Sequence, residues 1–441
     1  MEYHSHTEIQ KYYHELQKSQ WLSSEQITEL QNKKLRTLIR HAYERIPYYH
    51  QEFKKRNLLP DDIRTVKDLE KLPYLTKDII RENFSELFDK SLIGKKTRLN
   101  QTSGSSGEPL RYYLTLDGLS ISWAAGYRAW NWGGYELGDK RVMFGSSVLY
   151  NLPLQKKIRY FLERNLPFSS FNLTEDMLAQ YVSKIRRFNP KFIRGYPSTL
   201  YILSSYLQRH NIDDITPESV FTTAETLFPF QRRMIETVMG CPVSDGYGCR
   251  DGGANAMECE SHEGYHICSE QCYLETIDSG GRINTGNKGE IVTTDFHNYA
   301  MPFIRYKTGD IGTLTDEECS CGRGLPLMKS IEGRIINLIY HSNGNLLSGL
   351  PLTDVFEHIE ERKNKTISQY QIIQETKQRI VIKIVKGENY TQENSHQIIS
   401  EIKKHVGQEM DIQIEFTDNI PLTNGGKRLF VLCKIPPGSP S

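Results

Sequence analysis

Apolar side chains recur at helical spacing in the first hundred residues. Between Leu35 and Tyr43 they stand three or four positions apart, which predicts a helix with one buried face. Pro47 ends this helix, because proline disfavours a helical conformation in the residue before it. Two more short helices are predicted over Asp62–Leu72 and Thr76–Leu87. We expect these helices to pack against the rest of the chain and support it.

Short apolar runs and amphipathic segments alternate from residue 101 to about residue 330. The predicted strands are Arg141–Phe144, Phe192–Gly195 and Ser219–Thr223, and the predicted helices are Glu175–Phe188, Tyr196 to about His210, and Pro229–Met239. This alternation indicates a largely parallel sheet covered by helices. Between Gln271 and Leu314 the strand signals lie closer together, with glycine turns, which predicts an antiparallel or barrel-like subdomain.

The last hundred residues change character. A β-rich pair, Gln369–Gln374 and Arg379–Val385, predicts a hairpin, and a helix over Asn394–Val406 and a strand over Asp411–Phe416 follow it. The predicted fold class is therefore α/β: a large N-terminal α/β domain with mixed sheets and a β-subdomain, plus a small α+β C-terminal domain. The predicted divisions are 1–100, 101–335 and 336–441.

Composition narrows the class of protein. The 55 Lys and Arg residues nearly balance the 54 Asp and Glu residues, so no net field favours nucleic acid or an anionic membrane. A mean hydropathy of −0.54 and the lack of an 18-residue apolar run predict no membrane span. The first residues lack the basic and apolar regions of a secretory signal, and the eight cysteines do not form a disulfide pattern. We expect a cytoplasmic protein.

The sharpest local motif is a run of hydroxyl residues and glycines before Glu108-Pro109. Its members are Thr102, Ser103, Gly104, Ser105, Ser106 and Gly107. Exposed backbone N–H groups and hydroxyls can surround phosphate oxygens. The Gly-Lys-Ser/Thr of a Walker loop is absent, and a surface linker is the alternative interpretation.

Four further motifs can complete a nucleotide site. Asp310 follows a strand-like run and could accept hydrogen bonds from ribose hydroxyls, although Gly-Asp is also common in turns. Tyr247, before Gly248, follows an apparent strand and could stack on a purine, and Asp251 could help to hold Mg²⁺. Glu225 ends another strand. Lys427, in the small C-terminal unit, could neutralise charge on a reacting phosphate, or could be a solvated hairpin lysine.

In this order the motifs resemble those of the AMP-forming adenylating superfamily of acyl- and aryl-CoA ligases. Within it, the chain is similar to the compact phenylacetate–CoA ligase branch, which also holds capsule-biosynthesis CapK-like proteins. The resemblance covers nearly the whole chain, including Ile46–Tyr49 and Leu72–Lys77. It implies that the small C-terminal domain is mobile and rotates between adenylation and transfer.

The resemblance implies a role for each matching residue. The loop from Thr102 to Gly107 would hold the β- and γ-phosphates of ATP, and Glu225 would line the adenine or substrate region. Tyr247 would stack on the base, and Asp251 would occupy the acidic position linked to Mg²⁺. Asp310 would contact the ribose, with Arg334 beside it, and Lys427 would be the mobile catalytic lysine.

Three motifs of the chain depart from the family pattern. Serines 105 and 106 replace threonines but keep the hydroxyl group, and Asp251 replaces a glutamate that is one methylene longer. Ile336 stands two residues after Arg334, where the family has an acid that serves the domain rotation.

A second cluster combines cysteine and histidine. Cys259 and His262 form a C-x2-H pair, and Cys319 and Cys321 form a C-x-C pair. Thiolate and imidazole ligands suit a tetrahedral, structural Zn²⁺, and unmetallated turn cysteines are the alternative. The competing ligands nearby are Cys268, Cys272 and His266.

The expected reaction is ATP-dependent adenylation of a small carboxylic acid, followed by transfer to CoA. A carrier-protein thiol, or an amine or hydroxyl group on a sugar, remains open as the acceptor. A non-catalytic scaffold and a zinc-containing nucleic-acid binder are the other classes, and the near-neutral charge argues against the second. A homodimer is also left open.

Overall fold

The computed structural model has a mixed α/β architecture with several sheets and a C-terminal domain. It describes residues 7–94, 97–101, 110–145, 153–170, 173–334, 338–343, 346–348, 352, 355–356, 366–421 and 429–435. Within these ranges, no helix is both long and apolar enough to cross a membrane.

The N-terminal part is helical and ends in a short antiparallel strand pair. Its helices are α1 (Thr7–Ser19), α2 (Ser24–Arg45), α3 (Pro47–Lys55) and α4 (Lys77–Glu82), its 3-10 helices are Pro60–Asp62, Val66–Lys71 and Phe84–Glu86, and its strands are β1 (Thr97–Gln101) and β2 (Arg111–Thr115). A capping box formed by Ser23 and Gln26 starts α2, whose apolar face is buried as the spacing predicts.

Two predicted helices in this part are shorter than the sequence indicates. In the segment Asp62–Leu72, the Asp68 carboxylate accepts the backbone N–H groups of Arg64 and Thr65 at 3.1 and 2.9 Å. These bonds hold a turn, so two 3-10 helices replace one α-helix. In the segment Thr76–Leu87, α4 ends at Glu82 because the Asn83 side chain donates to the Ile79 carbonyl at 2.9 Å.

A five-stranded parallel sheet forms the centre of the large domain. Its strands are β3 (Arg141–Gly145), β4 (Asn165–Ser169), β5 (Phe192–Gly195), β6 (Ser219–Thr222) and β7 (Val243–Ser244), in the order β4-β3-β5-β6-β7. The helices of this part are α5 (Leu116–Trp132), α6 (Leu154–Leu162), α7 (Glu175–Phe188), α8 (Pro197–Arg209) and α9 (Pro229–Met239). All strand pairs are parallel, as the alternating pattern predicts. Proline at the first position starts both α8 and α9, where no N–H partner is needed.

A seven-stranded antiparallel sheet follows. Its strands are β8 (Gly246–Cys249), β9 (Ala254–Glu258), β10 (Tyr265–Ile267), β11 (Cys272–Ile277), β12 (Lys288–Asp295), β13 (Tyr306–Thr315) and β14 (Leu327–Arg334), in the order β11-β12-β13-β14-β10-β9-β8. The sequence predicts an antiparallel unit only between Gln271 and Leu314. The sheet is larger because β14 pairs with β10 and so adds β8–β10 to its edge.

The C-terminal unit has its own apolar core. Its elements are β15 (Leu338–Tyr340), β16 (Leu346–Ser348), β17 (Ile367–Thr376), β18 (Arg379–Lys386), α10 (Gln392–Val406), β19 (Asp411–Phe416) and β20 (Val431–Cys433). Ile372, Ile382, Ile398 and Ile402 are fully buried between the sheet β19-β18-β17-β20 and α10. The sequence predicts the hairpin, the helix and β19, but not β15, β16 or β20.

A buried ion pair joins the N-terminal part to the antiparallel sheet. Arg305 has a left-handed backbone, with φ at 52°, just before β13. Its guanidinium binds the Glu275 carboxylate through two bonds of 2.9 and 3.2 Å, and both side chains are almost fully buried. It also donates to the Leu72 carbonyl and the Tyr74 hydroxyl, each at 2.9 Å. Burial raises the pKa of Glu275 although Arg305 opposes this.

Replacing Arg305 tests the contribution of this ion pair to stability. We expect Arg305→Gln to lower the free energy of unfolding by about 3–5 kcal/mol, because Glu275 is left buried without a countercharge. Urea unfolding measures the change. The matched control is Arg282→Gln at the exposed pair with Asp278, which should cost no more than about 1 kcal/mol.

The pH dependence of the stability deficit in Arg305→Gln distinguishes the loss of charge pairing from the loss of packing. In Arg305→Gln the pKa of Glu275 rises further, so the carboxyl group takes up a proton at mildly acidic pH and loses its charge. The deficit relative to wild type should therefore shrink from pH 8 to pH 5. A deficit that is independent of pH would contradict a role based on charge.

Candidate functional site

Glu225 lies just beyond the carboxyl end of β6, at the edge where parallel sheets usually bind ligands. Its Oε2 accepts the backbone N–H of Ser198 at 3.0 Å, at the start of α8. The helix N-terminus favours the negative charge there. Ala224 before it has φ at 70°, a conformation that a non-glycine residue adopts at an energetic cost. Burial raises the pKa of Tyr196, and the charge of Glu225 adds to this effect.

Tyr247 and Asp310 meet although 63 residues separate them in the chain. The Tyr247 hydroxyl donates to Asp310 Oδ2 at 2.9 Å. Asp310 is positioned by a turn in β13, where its N–H donates to the Thr308 hydroxyl at 3.0 Å and Gly309 has φ at 77°. Burial and the Asp310 charge raise the pKa of Tyr247 well above its ordinary value, so the phenol is a stable donor.

Asp251 is held by the same strand that carries Asp310. The Tyr306 hydroxyl donates to Asp251 Oδ2 at 2.7 Å, and the Cys249 thiol donates to Asp251 Oδ1 at 3.2 Å. Both carboxylate oxygens therefore already accept a hydrogen bond. A metal ion near Asp251 would compete with these donors or bind through water.

Tyr247 and Asp251 thus belong to one network that joins β8 and its turn to β13. Gly248 lies between the two contacts and is exposed. A phenol, two carboxylates and open backbone that meet between β8 and β13 can recognise the ribose and base of a nucleotide. Sequence reasoning missed Tyr306 and Ser198, because each acts by fixing a carboxylate that is distant in sequence.

Several predicted residues cannot be placed. Lys427 and the loop from Thr102 to Gly107 lie outside the described residues, and β1 and β2 flank that loop in the sequence. The backbone of Arg334 pairs with Asp310 across β13 and β14, but its side chain is also outside the described part. Ile336 lies outside it as well.

A cysteine–histidine cluster lies at the other end of the same sheet region. Among the described residues, Cys259, His266, Cys319 and Cys321 place their ligand atoms within 4.8 Å of one another. Burial lowers the pKa of His266 to about 4, so its imidazole is neutral near pH 7.

The cluster differs from the predicted zinc set in one residue. His262 is not part of it, because its Nδ1 faces Glu258 Oε2 at 3.3 Å. His266 takes its place, since β10 pairs His266 with Leu327 and so turns it toward the loop that carries Cys319 and Cys321. The C-x2-H spacing favoured His262, and only the strand register reveals His266.

Comparisons with known proteins agree with this fold. A family model described as the CapK C-terminal domain matches residues 339–434. Protein CapK of Staphylococcus aureus is 27% identical over 429 residues, which cover 92% of this chain and 89% of CapK. A phenylacetate–coenzyme A ligase of Escherichia coli is 25% identical over 426 residues, covering 91% of this chain and 94% of that ligase.

A solved structure shares the architecture. A 2-hydroxyisobutyryl-CoA ligase, in the postadenylation state with R3-HIB-AMP, superposes with a TM-score of 0.74 and 17% identity. The match covers 94% of this chain and 91% of that one. The chain shares its fold with AMP-forming CoA ligases, and its relatives support an enzyme of this kind. Its homologues are CapK and the phenylacetate–CoA ligases.

The pKa of Tyr247 gives a test of the site geometry. We expect the ultraviolet titration of the folded protein to be the same for wild type and Tyr247→Phe up to about pH 10, because Tyr247 stays protonated. In Asp310→Asn the pKa of Tyr247 should fall toward its ordinary value, since the neighbouring negative charge is gone. A wild-type phenolate that appears near pH 10 and is missing in Tyr247→Phe would contradict the contact.

Proposed function

We propose that the protein adenylates a small carboxylic acid with Mg·ATP and then transfers the acyl group to CoA. The observation that carries this proposal is the contact of Tyr247 with Asp310, and of Asp251 with Tyr306, between β13 and β8 with its turn. Tyr247 and Asp310 belong to separate sequence motifs that predict base and ribose contacts, so their meeting favours a nucleotide site. The phenylacetate–CoA ligase relatives favour CoA as the acceptor.

In this proposal each site residue has one task. Tyr247, next to Gly248, stacks on adenine, and Asp310 accepts hydrogen bonds from the ribose hydroxyls, with Arg334 beside it. Glu225 lines the pocket between base and acid. Asp251 orients water around the Mg²⁺ that accompanies the phosphates, which fits a carboxylate whose oxygens already accept two hydrogen bonds. The loop from Thr102 to Gly107 holds the β- and γ-phosphates.

The chemistry consists of two displacements. A carboxylate oxygen of the acid attacks the α-phosphorus of ATP, the bond to the bridging oxygen breaks, and pyrophosphate leaves. Then the CoA thiolate attacks the carbonyl carbon of the acyl-adenylate, AMP leaves, and the thiol proton passes to solvent. Lys427 stabilises the charge that develops between the α-phosphate and the acid in the first step.

A contact beside Lys427 in the sequence supports its role. Phe430 packs edge-on against Phe228 and Phe230, with ring centroids 5.6 and 6.4 Å apart. Phe228 follows Glu225 by three residues, and Phe430 follows Lys427 by three residues. Three residues span at most about 11 Å, so this docking is compatible with a lysine that reaches the site.

Arg194, on β5, is a candidate contact for the acid substrate. The Arg194 guanidinium lies 5.2 Å from the centre of the Trp130 ring, and within the described ranges no carboxylate forms an ion pair with it. A half-buried cation in this position would suit an acid with a second anionic or polar group. Trp130 and Trp132, in the aromatic-rich helix α5, are buried in a core cluster.

Other parts of the proposal extend the sequence analysis. We propose the divisions 1–100, 101–335 and 336–441 as the helical part, the ATP- and acid-binding part, and the small domain with the catalytic lysine. A carrier-protein thiol, or an amine or hydroxyl group on a sugar, stays an alternative acceptor. The cytoplasmic location, the lack of nucleic-acid binding and the homodimer also stay predictions.

Exchange of labelled pyrophosphate into ATP tests the proposal. The panel contains aryl, fatty, amino and sugar acids, including matched pairs such as hexanoate and adipate that differ in a second carboxylate. We expect exchange with one acid class, and release of AMP on addition of CoA. Exchange without CoA-dependent AMP release would indicate that the acceptor is a carrier-protein thiol, or an amine or hydroxyl group on a sugar, and not CoA. If the protein neither binds ATP nor catalyses pyrophosphate exchange with any acid, the result would favour the non-catalytic scaffold.

Replacing the lysine tests the first displacement. We expect Lys427→Ala to lower pyrophosphate exchange by about 100- to 1000-fold while ATP affinity changes far less, because the lysine acts on developing charge. The matched control is Lys434→Ala, seven residues further on, which removes an exposed lysine paired with Glu375 and should leave exchange unchanged. Normal exchange in Lys427→Ala would remove this residue from the mechanism.

A further inference from the structure

The cysteine–histidine cluster has the dimensions of a tetrahedral metal site. Cys259 Sγ lies 3.7 Å from Cys319 Sγ, and Cys321 Sγ lies 3.3 Å from His266 Nε2. Zinc bonds of about 2.3 Å to sulfur and about 2.0 Å to nitrogen place tetrahedral ligand atoms about 3.8 Å (S···S) and about 3.5 Å (S···N) apart. A sulfur–sulfur separation of 3.7 Å is far from a disulfide bond, and all three cysteines are free thiols.

The surroundings orient the four ligands. Nδ1 of His266 faces the Leu325 carbonyl at 3.4 Å, which leaves Nε2 to point into the cluster with its lone pair. The backbone N–H of Ser261 donates to Cys259 Sγ at 3.4 Å, a contact that stabilises a thiolate. The ring of Trp132 covers His266 at 5.4 Å and limits access of water.

We propose that Cys259, His266, Cys319 and Cys321 bind one structural Zn²⁺. Three thiolates and one imidazole complete the coordination of zinc, so no position remains for substrate or a reactive water. The site is therefore structural, and the proposal is independent of the ligase reaction.

The ion would fasten three neighbouring chain segments. Cys259 follows β9, His266 lies in β10, and the other two ligands lie in the loop between β13 and β14. Apart from a metal, this loop is held by contacts that include the bonds from Ser320 to the exposed Glu263, at 2.8 and 2.6 Å. One ion would add four strong bonds to these links.

The fastened loop is the support for the connection between α1 and α2. Two residues after Cys321, Arg323 lies over the rings of Trp21 and Trp132, 5.1 and 5.0 Å from their centres. The N–H of Gly324 donates to the Gln20 carbonyl at 3.1 Å, and a side chain at Gly324 would collide with the Leu22 carbonyl. Zinc would thus hold the N-terminal helices in place through this loop.

Metal analysis of the purified full chain tests the site. We expect one zinc ion per chain after dialysis, and a drop in zinc affinity of at least about 100-fold in His266→Ala and in Cys321→Ser. His262→Ala is the matched control and should keep the ion, because that side chain faces Glu258. Zinc retained in His266→Ala but lost in His262→Ala would overturn the ligand assignment, and no zinc in the wild type would overturn the site.

Two measurements on the wild type avoid dependence on variants that fail to fold. Replacement by Co²⁺ should give the visible absorption of a tetrahedral thiolate site. Removal of the metal by a chelator should lower the melting temperature and open the connection at residues 20–23 to proteolysis, and Zn²⁺ should reverse both. An unchanged cleavage rate there after complete metal removal would refute the fastening role.

Discussion

The fold around the site depends on where β13 begins, and a single buried guanidinium fixes that point. Arg305 adopts a left-handed backbone that β-strand residues avoid, and its bonds to Glu275, Leu72 and Tyr74 compensate for the cost. The N–H of Leu75 donates to the Arg305 carbonyl at 2.9 Å, which adds the N-terminal segment to the strand. Residues that follow Arg305 can occupy only one register.

That register determines the site. Tyr306 and Asp310 lie on β13, and the residues that meet them, Asp251 and Tyr247, lie on the far edge strand β8 or its turn. A shift of β13 by one residue would turn both side chains to the other face of the sheet. The parallel sheet contributes Glu225 from a different direction, fixed by the start of α8. The predicted site residues therefore come from two sheets, and polar contacts position them in each.

Local sequence patterns predict the helices and strands correctly where interactions between nearby residues determine the secondary structure. The helices α7 and α9 and the strands β5 and β6 follow from apolar spacing, capping residues and proline. The 3-10 helices near Asp68 were not predictable in this way, because one carboxylate captured two backbone groups. The choice of His266 over His262, and the pairs that hold Asp251 and Asp310, depend on strand register between distant segments. The motifs indicate the residue types of the site, but only the sheet order brings them together.

The contact of Phe430 with Phe228 and Phe230 affects how often the C-terminal unit is docked. Each edge-to-face pair contributes about 0.5–1.5 kcal/mol, so the two together favour the docked arrangement by about 5- to 150-fold. A rotation of the small domain would have to separate these rings and would leave apolar faces in water. The docked state would then be the resting state of the enzyme. The free energy of binding the acyl-adenylate or the incoming acceptor would have to drive each undocking of the C-terminal unit.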